Sequence, residues 1–587
     1  MFLSLCLVVL ALYLLYKWAL PKPISDIPHN PLALQSLFGD IPAMIQGTKA
    51  NNQTHMDWII QQMKNLESPI IQLFLSPLNR PTVILADFRE TQDIMLRRKD
   101  FDRSTNIRGL LEDVIPDHHI YEQTNAVFRT HRKLVQDVML PSFIQKVAGP
   151  AFHANIMRLV RVWELKAKIA DGSPFLATQD IQGAVLDAVY SFAFGEYYKS
   201  STTLPKIEIL EKWNIEHTSR HISKSVKPFD FPDVAFDDLI NATIDLAKAP
   251  QGLQGSPIAK IQAKVTMNMP YFRRVRKIRD DFLRGSLRSA VSKLPKEGSK
   301  SDSPSVTSAV EQMVLRETAL AQAENRSPNY LSTMMQGELF GLILGGFDTT
   351  STTTLWGLKF LTDNAGVQKR LRQGLQSSFP KAKDEKRSPT FQELAVARIP
   401  YLEAVIEETL RCAGATPALQ RLAKVDTQIL GYHIPKGTDV LFLTHGPSVW
   451  TPGFEIDESR RSQTCQAAGE KKDQSWDNDD ISAFRPERWL GQKASPANDV
   501  RENDVTENAE FDGLAGPTLA FGLGTRGCFG RRLGYQQLKT SIAILIWNFE
   551  LLPCPKELSS YRTIEGLTSM PEHSYIRLAR VDLTTPE

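Results

Sequence analysis

The chain of 587 residues is long for one domain, although a large helical enzyme with an N-terminal tail would account for it. Its formal net charge of +3, without basic runs interleaved with aromatic residues, argues against nucleic-acid binding. The five cysteines are odd in number and scattered, so they indicate neither a disulfide framework nor a Cys-x-x-Cys metal site.

The N-terminus is apolar from residue 2 to residue 20 apart from Ser4 and Lys17. As a helix, this run would be about 28 Å long and would just cross the hydrocarbon core of a bilayer. Lys17 and Lys22 lie at its C-terminal end and no basic residue precedes it. We therefore expect a transmembrane signal anchor at residues 1–20 with the remaining chain in the cytoplasm. A buried helix or a cleaved signal peptide is the alternative.

The rest of the chain is predicted to be one domain behind a stiff linker. The proline-rich residues 21–50 are the linker, and residues 51–587 are the domain. Apolar periodicity is mainly helical between about residues 87 and 415. Alternating patterns bounded by turn residues predict strands at 70–74, 82–85, 427–430 and 439–444. Two polar stretches are interpreted as flexible or disordered surface insertions, at about 455–480 and 491–512.

A basic segment, Phe128-Arg129-Thr130-His131-Arg132-Lys133, falls in the first part of the helical region. Taken alone, an Arg-Lys pair on a helix usually belongs to a solvated face. Its meaning therefore depends on the motifs that follow it along the chain.

A long helix is predicted from the cap Ser327-Pro328 to Leu361, before the stop signal Asp363-Asn364-Ala365-Gly366. Its middle reads Gly345-Gly346-Phe347-Asp348-Thr349-Thr350. Paired glycines and successive threonines are poor helix formers, at a cost of up to about 1 kcal/mol for each glycine. Either a packing kink or a functional requirement would explain them.

Glu408-Thr409-Leu410-Arg411 places a carboxylate and a guanidinium three residues apart on a predicted helix. By itself this spacing is most often a solvated surface salt bridge. Arg421 follows it, and Phe484-Arg485-Pro486-Glu487-Arg488-Trp489 precedes the last motif of the chain.

That last motif is the glycine-rich loop Phe521-Gly522-Leu523-Gly524-Thr525-Arg526-Gly527-Cys528-Phe529-Gly530, which is followed by a helical pattern. Free backbone N–H groups, a helix N-terminus and a nearby arginine would all stabilise a thiolate. Gly522, Gly524 and Gly527 also fit the dinucleotide-binding fingerprint. That fingerprint requires a βαβαβ half-domain, and only about sixty residues follow Gly527.

The loop resembles the haem-binding signature of the cytochrome P450 monooxygenases, Phe-x-x-Gly-x-Arg-x-Cys-x-Gly, at every fixed position. The other four motifs also resemble segments of this family and occur in the family's order. The resemblance implies a mainly α fold with a minor β region, the cytochrome P450 fold, behind the N-terminal transmembrane helix. The long polar insertions and the general character of the sequence are similar to those of microsomal enzymes of fungal secondary metabolism.

The resemblance also assigns roles to residues. Cys528 would be the axial thiolate of haem b, with Phe521 and Gly530 beside the cofactor. Asp348 and Thr349 would deliver protons to iron-bound dioxygen. The haem propionates would meet three arginines, Arg132, Arg421 and Arg526. A buried network that braces the haem loop would comprise Glu408, Arg411 and Arg488. Phe128 stands where the family usually has tryptophan.

The implied reaction inserts one oxygen atom from O2 into a hydrophobic small molecule such as a terpenoid, polyketide or alkaloid. NADPH would act only through a membrane-bound cytochrome reductase, and the expected location is the endoplasmic reticulum. Two alternatives stay open. One is a haem-thiolate isomerase or dehydratase that does not activate O2, against which the intact Asp348-Thr349 pair argues; the other is a non-catalytic haem-binding protein.

Overall fold

The computed structural model describes residues 2–583 except for gaps at 78–79, 218–226, 251–255, 257, 295–305, 470–474 and 492–509. The described residues are mainly helical. Their α-helices are α1 (Phe2–Ala19), α2 (Ile41–Asn51), α3 (His55–Asn65), α4 (Phe88–Leu96), α5 (Arg108–Leu111), α6 (Ala126–Val135), α7 (Pro141–Phe143), α8 (Gly149–Ala170), α9 (Thr178–Phe194), α10 (Thr203–His217), α11 (Asp238–Lys248), α12 (Ala259–Asn268), α13 (Pro270–Ser292), α14 (Ala309–Ala323), α15 (Thr333–Asp363), α16 (Ala365–Ser378), α17 (Pro380–Asp384), α18 (Phe391–Val396), α19 (Pro400–Ala413), α20 (Gln463–Gly469) and α21 (Arg531–Asn548).

The strands form one five-stranded sheet and several small ribbons. They are β1 (Ile70–Leu73), β2 (Thr82–Leu85), β3 (Phe101–Arg103), β4 (Phe175–Leu176), β5 (Ala418–Ala423), β6 (Thr427–Ile429), β7 (Tyr432–Ile434), β8 (Asp439–Leu443), β9 (Leu490–Gly491), β10 (Glu510–Phe511), β11 (Phe549–Leu552), β12 (Thr563–Glu565), β13 (Ser569–Pro571) and β14 (Tyr575–Arg580). The large sheet has the order β1-β2-β8-β5-β3, in which only the β2–β8 pair is parallel. The four predicted strands are confirmed to within a residue.

Helix α15 runs through the main hydrophobic core and packs on α9, α19 and α21. Gly357 lets α15 approach both α19 and α21, because a Cβ at that position would lie 3.1 Å from Thr409 and 3.6 Å from Ile542. The helix is continuous through its glycines and threonines. Several of its hydroxyl groups bond back to the helix itself, as in Thr353 to the Thr349 carbonyl at 2.8 Å.

The predicted start of this helix is wrong by several residues. Ser332, rather than Ser327, is the N-cap, and its hydroxyl accepts a bond from the Met335 N–H at 3.2 Å. The earlier residues cannot begin the helix because Glu317 holds them in a loop, accepting the Asn329 N–H at 2.8 Å. The helix ends at Asp363, two residues beyond the predicted end at Leu361.

The first polar insertion makes specific contacts where it is described. Arg461 forms a buried ion pair with Asp87, Nη1 to Oδ1 at 2.6 Å. Cys465 on α20 is 1% exposed beside α4. The second insertion falls largely in the gap at 492–509, and its two ends pair as β9 and β10.

At the N-terminus, α1 is a separate helix whose large apolar side chains are exposed, with Leu12 at 60% and Trp18 at 67%. Within the described part of the chain, no helix combines the length and the apolar character that crossing a membrane requires.

Candidate active site

The Cys528 loop is folded by its glycines. Gly522 and Gly524 have φ angles of 58° and 67°, a region that disfavours residues with a side chain. A Cβ on Gly524 would also lie 2.2 Å from the Met95 carbonyl oxygen of α4. The loop closes where the Cys528 N–H donates to the Phe521 carbonyl at 2.7 Å, two residues before the N-cap Gly530 of α21.

The Cys528 side chain is exposed although many protein atoms surround its sulfur. Burial raises the pKa of its thiol, whereas the Gly530 backbone N–H and the charges of Arg132 and Arg531 lower it. These donors favour the thiolate, and a metal ion would complete the deprotonation.

The sheet places two arginines opposite each other next to this loop. Arg103 on β3 and Arg421 on β5 are Cα partners in the antiparallel register. Arg526, two residues before Cys528, is the third member of what we call the arginine cluster. Burial, followed by the charges of the other two members, lowers the pKa of Arg421 to about 9. Burial and the charge of Arg103 likewise lower the pKa of Arg526 to about 9.

The arginine cluster contains hydrogen-bond donors that are not paired. Arg103 Nε and Arg526 Nη1 are buried without a hydrogen-bond partner among the described residues. The nearby carboxylate of Asp102 is engaged by Thr124, which donates from its N–H at 3.0 Å and its hydroxyl at 2.8 Å. Like charges opposed on adjacent strands, with unpaired buried donors, are costly unless an anion joins them. The cluster therefore fits the carboxylates of a haem.

Arg132, on α6, approaches the Cys528 loop over an aromatic ring. Its guanidinium lies 3.6 Å from the ring centroid of Phe529 and 5.4 Å from that of Phe128. Arg526 also stacks on Phe128, at 4.0 Å. Where the family usually has tryptophan, this chain thus uses a phenylalanine that orients two arginines by cation–π contact rather than donating an N–H of its own.

On α15 the two residues predicted to deliver protons face different surroundings. Thr349 is exposed and its hydroxyl donates to the Gly345 carbonyl at 2.6 Å. Apart from the two neighbouring residues and the surrounding helix backbone, no described atom lies within 4 Å of the position that a Cβ on Gly345 would take, so this side of α15 faces an open space. Asp348 is 7% exposed, and burial raises its pKa above the usual range.

Glu408, Arg411 and Arg488 are brought together and buried. Arg411 donates to both Glu408 oxygens, at 2.8 Å and 2.7 Å, and Arg488 Nε donates to Glu408 at 3.0 Å. The Trp489 indole N–H and the Arg485 backbone N–H complete the shell at 2.9 Å and 2.7 Å. We call Glu408, Arg411, Arg488 and Trp489 the Glu408 cluster. A surface salt bridge is excluded, since the Glu408 and Arg411 side chains have 0% exposure.

A tryptophan from the first polar insertion joins this cluster to the cysteine region. The ring of Trp476 lies 5.1 Å from the Arg488 guanidinium and 5.8 Å from that of Arg411. Its indole N–H donates to the Pro517 carbonyl at 3.1 Å, a few residues before the Cys528 loop. The insertion therefore contributes to the structure that holds this loop.

Three histidines converge on Glu338 of α15, although no metal-ligand spacing is visible along the sequence. His119 Nδ1 and His131 Nδ1 lie 2.8 Å and 2.7 Å from its carboxylate, and His118 Nε2 lies 3.5 Å away. Ligand atoms of His118, His119 and Glu338 are within 4.8 Å of one another, a spacing that a metal ion could bridge.

The hydrogen bonds give this cluster another explanation. His118 Nδ1 accepts the Ile120 N–H at 3.2 Å, so the proton of the neutral ring sits on the nitrogen that faces Glu338. The His119 N–H also donates to Glu338 at 2.8 Å. The carboxylate is thus satisfied by protein donors, which hold its pKa below the usual range despite burial. Because the His119 carbonyl lies 3.5 Å from Arg526 Nη2, the cluster also supports the arginine cluster.

Sequence reasoning missed Glu338. By family resemblance it placed Arg103 and Thr568 only within two ranges expected to line the substrate pocket, 103–120 and 567–569, and gave neither residue a role. Thr568 donates to Asp348 at 2.9 Å. Each of the three residues comes from a segment without a recognisable pattern and enters the site only through the fold. Neither β3 nor β5 was predicted from the sequence, so the position of Arg103 opposite Arg421 became evident only from the pairing of these strands in the structure.

Comparison with known proteins identifies the class to which this fold and site belong. The family model for cytochrome P450 matches residues 37–450 and 470–576. The chain belongs to the cytochrome P450 family, whose members are haem-thiolate enzymes that carry haem b and receive electrons from a reductase. The predicted mainly α fold with a minor β region is confirmed.

Among its relatives, the chain is 90% identical to "Cytochrome P450 monooxygenase TRI13" of Fusarium sporotrichioides over 100% of both chains. It is 34% identical to "Cytochrome P450 monooxygenase GME11363" of Pestalotiopsis microspora, over 97% of this chain and 96% of the relative. It is 31% identical to "Cytochrome P450 monooxygenase xilC" of Penicillium crustosum, over 97% and 94%. The chain is therefore a haem monooxygenase of secondary metabolism that is similar to these fungal enzymes, with a small-molecule substrate, O2 and a redox partner.

Proposed function

We propose that this monooxygenase holds haem b between Cys528 and the open side of α15. The observation that carries the proposal is the arginine cluster, because its unpaired buried donors require an anion beside the exposed cysteine. Cys528 would hold the haem iron through its thiolate, with Phe521 and Gly530 shaping the loop around it. A bound haem supplies oxygen activation, and the thiolate favours O–O cleavage.

Arg421 and Arg526 bind the propionates, and Arg103 joins them. Arg132 contributes a fourth cation from α6, where Phe128 and Phe529 fix the direction of its guanidinium. A guanidinium gives charge-assisted hydrogen bonds to a carboxylate, which are stronger than neutral ones. Two carboxylates among these four cations would also remove the repulsion that lowers the pKa values of Arg421 and Arg526.

Asp348 and Thr349 move protons to the reacting oxygen. Thr349 is suited to the last transfer because its hydroxyl is on the exposed side of α15, one turn from the glycine that leaves room there. Asp348 is suited to hold a proton, since burial raises its pKa. The Glu408 cluster does no chemistry in this scheme and keeps the Cys528 loop in position.

The substrate is a hydrophobic small molecule, with terpenoids, polyketides and alkaloids as the classes to test. Metabolite profiling after deletion of the gene should show an accumulated precursor. That precursor, incubated with the purified protein, reductase, NADPH and oxygen-18-labelled O2, should give a product carrying labelled oxygen. A precursor that is converted without incorporation of the label would contradict the proposed reaction.

Residues 1–20 anchor the protein in the endoplasmic reticulum membrane, residues 21–50 are a linker, and residues 51–587 form the cytoplasmic catalytic domain. The exposed apolar side chains of α1 support membrane contact, as do those of Ile261 and Val265 on α12, at 63% and 57%. This topology leaves the sequons at Asn52, Asn241 and Asn325 unglycosylated. Sensitivity of the mature protein to glycosidase would contradict it.

A further inference from the structure

The carboxylate of Asp348 is held by a residue from outside its helix. Asp348 Oδ2 accepts a hydrogen bond at 2.9 Å from the hydroxyl of Thr568, which lies in the turn between β12 and β13. Both residues are buried, at 7% and 5% exposure. Thr352, one turn after Asp348 on α15, also contacts Thr568, and the two hydroxyl groups are 2.8 Å apart. The three groups form a chain in which Thr352 donates to Thr568 and Thr568 donates to Asp348.

The turn that carries Thr568 is fixed on both sides. The Gly566 N–H donates to the Thr568 carbonyl at 2.9 Å, and the Ser569 N–H donates to the Ala415 carbonyl at 3.0 Å. The Trp356 indole N–H, also on α15, donates to the Ser569 carbonyl at 2.9 Å. Thr568 therefore has little freedom to turn away from Asp348.

A cavity of about 40 Å³ opens beside this pair. Its lining includes Asp348 and Thr568 together with Gln182 of α9, Lys248 of α11 and Glu565 of β12. The space is large enough for more than one water molecule, and the polar groups provide hydrogen-bond partners. Water in the cavity would lie next to the Asp348 carboxylate.

We propose that Thr568 is a positioning residue of the monooxygenase reaction, which aims the Asp348 carboxyl between this water-accessible cavity and Thr349. The inference rests on the proposed role of Asp348 and Thr349 in proton transfer and adds the residue that governs it. Each proton enters from cavity water, resides on the Asp348 carboxylate and leaves toward the Thr349 hydroxyl, so Thr568 neither gains nor loses a proton overall.

The Thr568 hydroxyl also favours the charged form of Asp348. Burial raises the pKa of Asp348, and the bond from Thr568 lowers it. Lys248 and Glu565 are the charged groups on the other elements that line the cavity, and Glu565 is paired with His55, Oε2 to Nδ1 at 2.6 Å. Without the Thr568 hydroxyl, Asp348 should hold its proton too tightly and should be free to rotate.

The test compares Thr568→Val, which removes the hydroxyl at nearly constant volume, with Thr568→Ser, which keeps it. Thr354→Val is the matched control. The Thr354 hydroxyl is buried on α15, the helix that carries Asp348, but it bonds only within that helix, to the Thr350 carbonyl at 2.8 Å. Two quantities are measured on haem-loaded protein. One is product formed per NADPH consumed; the other is infrared titration of the buried carboxyl band, assigned as the band that Asp348→Asn lacks.

We expect Thr568→Val to lower the product yield per NADPH several-fold and to shift the carboxyl titration upward by about one pH unit. Thr568→Ser and Thr354→Val should match the parent protein in both measurements. A Thr568→Val protein with parental titration and yield would overturn the inference, as would equal changes in Thr354→Val. If Asp348→Asn itself leaves the yield unchanged, the proton-transfer role of Asp348 fails. The infrared titration then still shows whether Thr568 controls the protonation of Asp348.

Discussion

The Glu408 cluster and the arginine cluster both bury arginines near the Cys528 loop, yet their hydrogen bonding differs. In the Glu408 cluster, Arg411 donates to both oxygens of one carboxylate and to the carbonyls of Val449 and Ile481, both at 2.7 Å. In the arginine cluster, cations oppose each other and two buried donors have no partner among the described residues. The first arrangement is complete as folded, whereas the second requires a ligand.

This difference separates structural from ligand-binding arginines without reference to sequence motifs. A buried ion pair with every donor used is strongly destabilised by loss of one partner. A buried cation without an anion destabilises the folded apoprotein, so its removal should leave the apoprotein equally stable or more stable. Stability of the apoprotein and affinity for haem should therefore respond in opposite ways in the two clusters.

The largest effect is expected from Glu408→Ala. Removal of this acceptor leaves Arg411 and Arg488 as buried unpaired cations, and the free energy of unfolding should fall by about 3–5 kcal/mol. Denaturant unfolding of the apoprotein measures the change. Glu211→Ala is the control, because its ion pair with Arg161 is about half exposed on both sides and should contribute less than about 1 kcal/mol. Equal losses in the two variants would refute a structural role for the Glu408 cluster.

Arg421→Met should separate binding from stability. The affinity for haem should fall by about 1–3 kcal/mol, since one charge-assisted bond to a propionate is lost. The apoprotein should be as stable as the parent or more stable, because one of three mutually repelling cations is gone. Haem titration and apoprotein unfolding provide the two values. Arg411→Met, the matched variant in the Glu408 cluster, should instead destabilise the apoprotein, and similar behaviour of both variants would remove the distinction.

Thr349→Ala tests whether the Thr349 hydroxyl, on the open side of α15, takes part in proton delivery. Haem binding should be unchanged, while product per NADPH should fall on the order of tenfold because proton delivery is impaired. Thr353→Ala is the control, since that hydroxyl bonds to the Thr349 carbonyl and not to the open space. Measurement of peroxide release with NADPH consumption checks the result, and an unaffected yield in Thr349→Ala would exclude this residue from the reaction.

The smallest effect is expected on the stability that the His131–Glu338 pair contributes next to the arginine cluster. Burial lowers the pKa of His131, but the hydrogen bond and charge of Glu338 raise it by more, so the folded value lies above 6.5. The stability from this pair is therefore fully present below pH 6.5 and is lost as the pH rises through the folded pKa. His131→Asn should cost about 1 kcal/mol at pH 6 and less at higher pH. A pH-independent cost, measured by unfolding in buffers across this range, would contradict the account.

The sequence predicted those parts of the site that lie within contiguous motifs. Cys528 and Arg526 share one loop, and Glu408 and Arg411 share one helical turn, so their proximity follows from local geometry. Arg103, Glu338 and Thr568 could not be found in this way. Each has its partner far away along the chain: Arg421 for Arg103, His119 for Glu338 at a separation of 219 residues, and Asp348 for Thr568 at 220.

In the fold too, features set by local sequence could be predicted, whereas those set by distant partners could not. Strand positions followed from short apolar segments bounded by turn residues, because most side chains of β1, β2 and β8 are buried. The start of α15 did not follow from its local cap signals, since the side chain of Glu317 on another helix holds the preceding residues. The polar composition of residues 455–480 hid the buried contacts of Arg461, Cys465 and Trp476, which depend on partners elsewhere in the chain.

The most direct measurement is the carbon monoxide difference spectrum of the reduced protein and of Cys528→Ala. The account predicts a thiolate-type Soret band for the parent protein and none for the variant, with parental apoprotein stability because the Glu408 cluster is untouched. A thiolate-type band that persists in Cys528→Ala, or is absent from the parent protein loaded with haem, would contradict the assignment of Cys528 as the axial ligand.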